Sequence, residues 1–167
     1  MPGRTWPKLA QIPRLPVLAR RVNVDESKAR GYDVVSTATA IGDAPASEQA
    51  LRSLLKPGQR RIHFKRESDS RRRQILSRMR ALDIRVSVWV VKHRSDKDAR
   101  PLSLGALAEE AVRAGVVHLI IERDESVERA DRRLIAEAIR RGGSSDMQYR
   151  HVAPHEHPLL RASDAVA

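Results

Sequence analysis

The sequence predicts an α/β protein built on a mixed sheet, and three observations carry that prediction. Two β-rich segments near the start, Arg20–Glu26 and Tyr32–Ile41, are joined by a link short enough for an antiparallel hairpin. From Ile84 onward, strand-like and helix-like patterns alternate as they do in βαβ units. Val116–Glu122 (VVHLIIE) is almost continuously apolar, which fits a central strand covered on both faces.

Each element has a local reason. Arg20–Glu26 alternates polar and apolar residues and carries Val22 and Val24 on one face. Tyr32–Ile41 is β-branched and aromatic. Ala46–Leu55 reads as a short helix ended by Pro57-Gly58, and Arg61–Lys65 as a short strand. Ser68 is placed to cap a helix through Leu82, in which Arg72, Ile75, Leu76, Met79 and Leu82 share a face. Ile84–Val91 (IRVSVWVV) is a strand. In Ser103–Gly115, Leu104, Leu107, Ala108, Ala111 and Val112 recur at helical spacing, and Gly115 is placed to stop the helix. Val127–Arg141 is the next helix, closed by Gly142-Gly143, and Met147–Val152 the next strand. Pro158 opens a last helix that is still running at Ala167, as in a chain that continues. Residues 1–19 are a Pro-rich extended lead-in, expected to be disordered. Residues 20–167 make one domain, with an inserted basic helical segment around 46–82.

Composition narrows the chemistry. At 167 residues and 18.8 kDa the chain can bury a core without disulfides. Only 3% of residues are aromatic, so the core is aliphatic and binding of single strands by base stacking is disfavoured. The absence of cysteine excludes thiol catalysis, iron–sulfur clusters and cysteine-ligated zinc. No apolar run approaches the roughly 20 residues of a spanning helix, and the N-terminus lacks a signal-peptide pattern. A cytoplasmic protein with no membrane partner is expected.

The net charge of +11 is concentrated. Residues 52–94 hold fourteen Lys/Arg against three Asp/Glu, whereas residues 1–51 hold seven against five and residues 95–167 eleven against thirteen. Such a block is the footprint of a polyanion-binding surface. The competing reading is compositional: 26 Arg against six Lys, with abundant Ala, also follows from GC-rich coding.

Several acids stand where a carboxylate is inconvenient for folding. Asp25, followed by Glu26, lies in or at the end of the first strand, and Glu122 ends the most apolar one. Asp164 lies four residues after Leu160, on the face that turns toward the sheet. Asp131 is about 40° from Val127 and about 60° from Leu134 on a helix, inside the apolar stripe, and is expected to face the acidic cluster beside Glu122 rather than solvent. An inward acid must be paired, hydrogen-bonded or bound to a cation. Pairing with one of the many arginines explains any single case, for Asp131 through Arg132 or an arginine on a facing element. Acids converging from separate elements suit Mg²⁺ or Mn²⁺ instead. Lys65, Arg66, Arg71, Arg72 and Arg73 would then contact backbone phosphates, the Arg71–Arg73 triplet at a helix start where an anion relieves its conflict with the dipole. Glu109 and Glu110 fall off the apolar face and read as a solvated edge. His155-Glu156-His157 reads as a turn before Pro158, and His63 and His118 as sheet-face or core residues.

Four segments carry a resemblance to a family. VNVDESKARGYDVVSTA at residues 22–38 is similar to the opening strand of the bacterial domain of unknown function 3800 family, which has a ribonuclease-H-like fold. IHFKRESDSRRRQIL at 62–76, VHLIIERDES at 117–126 and HEHPLLRASDAVA at 155–167 extend the likeness across most of residues 20–167. The resemblance implies a mixed sheet of about five strands flanked by helices. It also implies metal-binding acids at Asp25, Glu122 and Asp164, with Asp131 and Glu26 as additions. Ribonuclease-H-like nucleases often carry a further acid early on the helix after the third strand, and Ser103–Leu107 has none. The expectation is a nuclease dependent on Mg²⁺ or Mn²⁺. The alternatives are a non-catalytic nucleic-acid-binding or regulatory module on the same fold, and a fold whose acids simply pair with arginines.

Overall fold

The computed structural model describes residues 21–27, 33–60, 62–91, 95–143, 146–153 and 155–164. The expected lead-in, and the last three residues of the expected final helix, lie outside them. Five strands form one sheet: β1 (Arg21–Ser27), β2 (Asp33–Thr39), β3 (Arg85–Val90), β4 (His118–Glu122) and β5 (Gln148–Val152). Their spatial order is β3-β2-β1-β4-β5. β1 pairs antiparallel with β2, and β2 with β3, whereas β1 pairs parallel with β4, and β4 with β5. The early hairpin and the later βαβ units therefore meet on β1, which has an antiparallel neighbour on one side and a parallel one on the other.

The helices divide between the two faces. α3 (Asp96–Arg113) and α4 (Glu128–Arg141) cover one face, where Val22, Val24, Val34, Trp89, Leu104, Leu107, Leu119, Ile121 and Ile135 form the main core. Trp89 is fully buried there, and its indole N–H donates to Ser36 Oγ at 3.0 Å, which satisfies its polar atom. α1 (Ala44–Arg52), α2 (Asp69–Arg80) and α5 (Pro158–Asp164) build a second cluster around Leu51, Ile75, Met79 and Leu159. α5 lies on β1 and β2, and its Leu160 packs on Ile120 and Val152 of the other face.

Ser68 caps α2 as its spacing predicts, accepting from the Arg71 backbone N–H. Three local expectations are corrected. The described part of Arg61–Lys65 is no strand: Phe64–Arg66 form a single 3₁₀ turn instead. Leu76 is 39% exposed, because the buried face of α2 is narrow and satisfied by Ile75 and Met79. Glu110 is buried rather than solvated, held by Arg113 one turn later.

α3 begins seven residues before the expected Ser103, capped by Ser95, with Pro101 inside it. A proline there removes one backbone hydrogen bond and costs about 3 kcal/mol in a helix interior. Tertiary contacts of the first turns offset that cost, because Ala99 and Arg100 are both buried. The early start also places Asp96 and Asp98 in the first turn, so the expected lack of an acid early on this helix does not hold.

Candidate functional site

The alternation of β1 sends its two adjacent acids to opposite faces of the sheet. Asp25 shares a face with Arg21 and Asn23, and Glu26 with the core residues Val22 and Val24. Val24 pairs with Ile121 in the parallel register, so one residue further on Asp25 stands beside Glu122, on the same face. Both are half-buried at the carboxyl ends of neighbouring strands, where open α/β sheets take their ligands. The Glu26 backbone N–H donates to Asp25 Oδ1 at 2.6 Å and orients that carboxylate.

α5 brings the third predicted ligand toward this pair. His157 meets Arg21 at the start of β1, and Leu160 packs beside Val152 near the strand ends. α5 therefore runs in the direction of β1, and its last residue, Asp164, ends on the side of Asp25 and Glu122. The Asp164 side chain lies outside the described residues. Among the described residues, no three His, Cys, Asp or Glu side chains stand close enough to hold an ion. What they contribute is a pair of hard oxygen donors, chemically suited to Mg²⁺ or Mn²⁺.

On the opposite face a second group assembles around Arg100. Arg100 Nε and Nη2 donate to Asp131 at 3.1 and 2.6 Å, a bidentate pair, and Nη1 meets Glu26. His151 Nε2 lies 3.2 Å from the same Asp131 carboxylate, and its Nδ1 is buried with no hydrogen-bond partner. Burial pushes the Asp131 carboxyl up, but the hydrogen bonds from His151 and Arg100 outweigh it and hold the group below the usual carboxylate range. Asp131 thus turns inward, as its place in the helical stripe predicts, and it is 1% exposed. The expectation that it faces the acidic cluster is corrected: its neighbours are a guanidinium and an imidazole. The sheet separates Asp131 and Glu26 from Asp25 and Glu122, so the five acids do not form one cluster.

The basic block divides in the same way. Arg71 donates to the Leu54 carbonyl and to Gln74, and Arg72 Nε donates to the Glu67 carbonyl at 2.9 Å. Both are half-buried and serve to hold α2 on the loop before it. Lys65, Arg66 and Arg73 are exposed. Glu67 is buried, and hydrogen bonds from Lys56 and Gln59 hold its carboxyl below the ordinary range.

Sequence reasoning did not find Arg100 or His151, and it read His157 only as part of a turn. Arg100 precedes a proline and reads as loop. His151 alternates onto the core face of an unremarkable strand. His157 sits between Arg21 Nη2, 2.8 Å from its Nδ1, and Arg150 Nη2, 2.9 Å from its Nε2. Burial, and then the two guanidiniums, hold its pKa below the ordinary imidazole value. Arg150 next to His151 on one strand, with His157 a few residues on, is the signal the sequence offers.

No protein-family profile matches the chain, and no curated protein does. Among solved structures it is similar to a chain in the structure of the PCNA:RNase HII complex from Archaeoglobus fulgidus, with a TM-score of 0.55 and 19% sequence identity. The match covers 89% of this chain and 70% of that one. Taken with the order and directions of the five strands, this likeness establishes that the chain has a ribonuclease-H-like α/β fold.

Proposed function

We propose that this chain hydrolyses phosphodiester bonds of nucleic acid with Mg²⁺ or Mn²⁺, using Asp25, Glu122 and Asp164 as ligands. The observation that carries the reading is the β1–β4 register, which sets Asp25 beside Glu122 at the strand ends on the face crossed by α5. A divalent ion bound there would supply a Lewis acid that lowers the pKa of a water and stabilises the leaving oxygen. Asp25 is pre-oriented for such a ligand by the Glu26 backbone N–H. Glu26 itself is tied to Arg100 on the far face, which fixes the end of β1 and so the height of Asp25. Lys65, Arg66 and Arg73 would hold the strand by its phosphates. The likeness to a chain of the PCNA:RNase HII complex supports the substrate class by analogy of fold.

The test is turnover. Purified protein with Mn²⁺ should cleave at least one of single-stranded, double-stranded and hybrid substrates, and Asp25→Asn should lower both cleavage and Mn²⁺ affinity by tenfold or more. No cleavage by the parent, with Mn²⁺ affinity unchanged in Asp25→Asn, ends the proposal. A second reading, a non-catalytic nucleic-acid-binding module, is favoured by the engagement of two of the five acids with Arg100. It requires binding that survives both chelation and loss of Asp25, Glu122 and Asp164.

A further inference from the structure

The opposite end of the same sheet face carries a cationic cleft. Arg21, His118 and Gln148 stand at one level in the parallel register, and Arg150 lies two residues further along β5. With Ile120 and Tyr149 they line a cleft of about 340 Å³, at the small end of the range for ligand pockets, roughly 300–1,000 Å³. Its polar groups are imperfectly matched. A guanidinium only donates, and a neutral imidazole accepts at one nitrogen, yet both ring nitrogens of His157 face guanidinium groups. One of those contacts therefore sets donor against donor. Arg21 Nε is also buried with no hydrogen-bond partner. Among the described residues one carboxylate, Glu48, is ion-paired here, 2.9 Å from Arg21 and 3.6 Å from His157 Nδ1, against two guanidiniums.

We propose that this cleft is an anion subsite that takes a phosphate group of a nucleic-acid strand. A phosphate offers several acceptor oxygens, enough to receive hydrogen bonds from Arg21 and Arg150 together and to release His157 from one of its two donors. His118 and Gln148 add donors at the same level. Ile120 in the cleft is two residues from Glu122, about 7 Å along the strand. That distance equals two steps of a stacked polynucleotide at about 3.4 Å each, but Leu160 of α5 covers Ile120, so a strand joining the cleft to the acids would have to pass outside α5. That the phosphate belongs to a strand rests on the nucleic-acid reading above; that the cleft takes phosphate does not.

The experiment uses the full chain in metal-free buffer with chelator. Inorganic phosphate is titrated and followed by NMR of the arginine and histidine side chains, and a labelled ten-nucleotide strand is titrated by anisotropy. Arg150→Gln is the variant, because Arg150 is exposed and its loss spares the core. Saturable phosphate shifts at Arg21, His118 and His157 are expected. Arg150→Gln should weaken phosphate at least tenfold, weaken the strand about three- to tenfold and reduce its salt slope by about one. Absence of saturable shifts in the parent, or unchanged binding of both probes in Arg150→Gln, overturns the subsite. Weaker phosphate with unchanged strand binding overturns the assignment to a strand and leaves a site for a small phosphorylated molecule. Cleavage by the parent but not Asp25→Asn, beside unaltered binding in Arg150→Gln, sinks the subsite and spares the reaction. The reverse pattern sinks the reaction and spares the subsite.

Discussion

Arg100 meets carboxylates from two elements while itself only 7% exposed, so its energetics depend on keeping both partners. Asp131→Ala would leave a buried guanidinium short of charge and His151 without its acceptor. Breaking a buried pair from one side costs about 3–5 kcal/mol, and urea unfolding should register a loss of that order. The double variant Arg100→Met/Asp131→Leu should recover most of it, because no uncompensated charge remains. The pH dependence follows from the lowered Asp131 pKa. Its stabilising contribution is complete above the unfolded value of about 3.9 and is lost as pH falls through the lower folded value. The stability curve of Asp131→Asn should therefore be flatter than the parent's below about pH 4; an equally steep acid limb would contradict the pairing. The inward direction of Asp131 was legible, since a helical wheel fixes a face. Its partner was not, because a wheel says nothing of what lies opposite and 26 arginines compete for the place.

At the scale of elements, the junction of α3 with α4 sets the positions of Arg100 and Asp131. Gly142, at the end of α4, has an ordinary helical φ of −74°, so by conformation alone alanine would be tolerated or stabilising there. Space decides otherwise: a methyl at this position would run into Val112 Cγ1 of α3. Gly142→Ala should destabilise by about 1–3 kcal/mol, and Gly142→Ala/Val112→Ala should suffer less from the glycine change. A stabilised Gly142→Ala would show that the two helices are less closely packed than described. Strands and helices were readable from periodicity almost throughout. The start of α3 was not, because Pro101 is a local signal of a boundary, and the contacts that override it involve residues from β1 and α4. The segment around residues 61–65 misled for the opposite reason: its apolar alternation is real but too short to pair with anything.

At the scale of the molecule, the basic segment predicts salt-sensitive binding of nucleic acid, and the structure divides its residues by role. Neutralising Lys65, Arg66 or Arg73 should each weaken binding and lower the slope of log K against log salt by about one. Arg71→Gln and Arg72→Gln should act on thermal stability and leave that slope nearly unchanged, since their guanidiniums are engaged by backbone carbonyls. A slope insensitive to all five substitutions would place the polyanion elsewhere. The clustering of charge was visible in the sequence, but which arginines point outward was not. The splitting of Asp25 from Glu26 by the pleat has a consequence for mutation itself. One residue deleted from β1 upstream of Val22 would set Glu26 beside Glu122, and one inserted there would set Asp25 against Arg100. Hydrophobic Val22 and Val24 would move with them to the wrong side. The valines therefore act as a reading frame for the acids, and a chain that keeps its core keeps Asp25 on the face of Glu122.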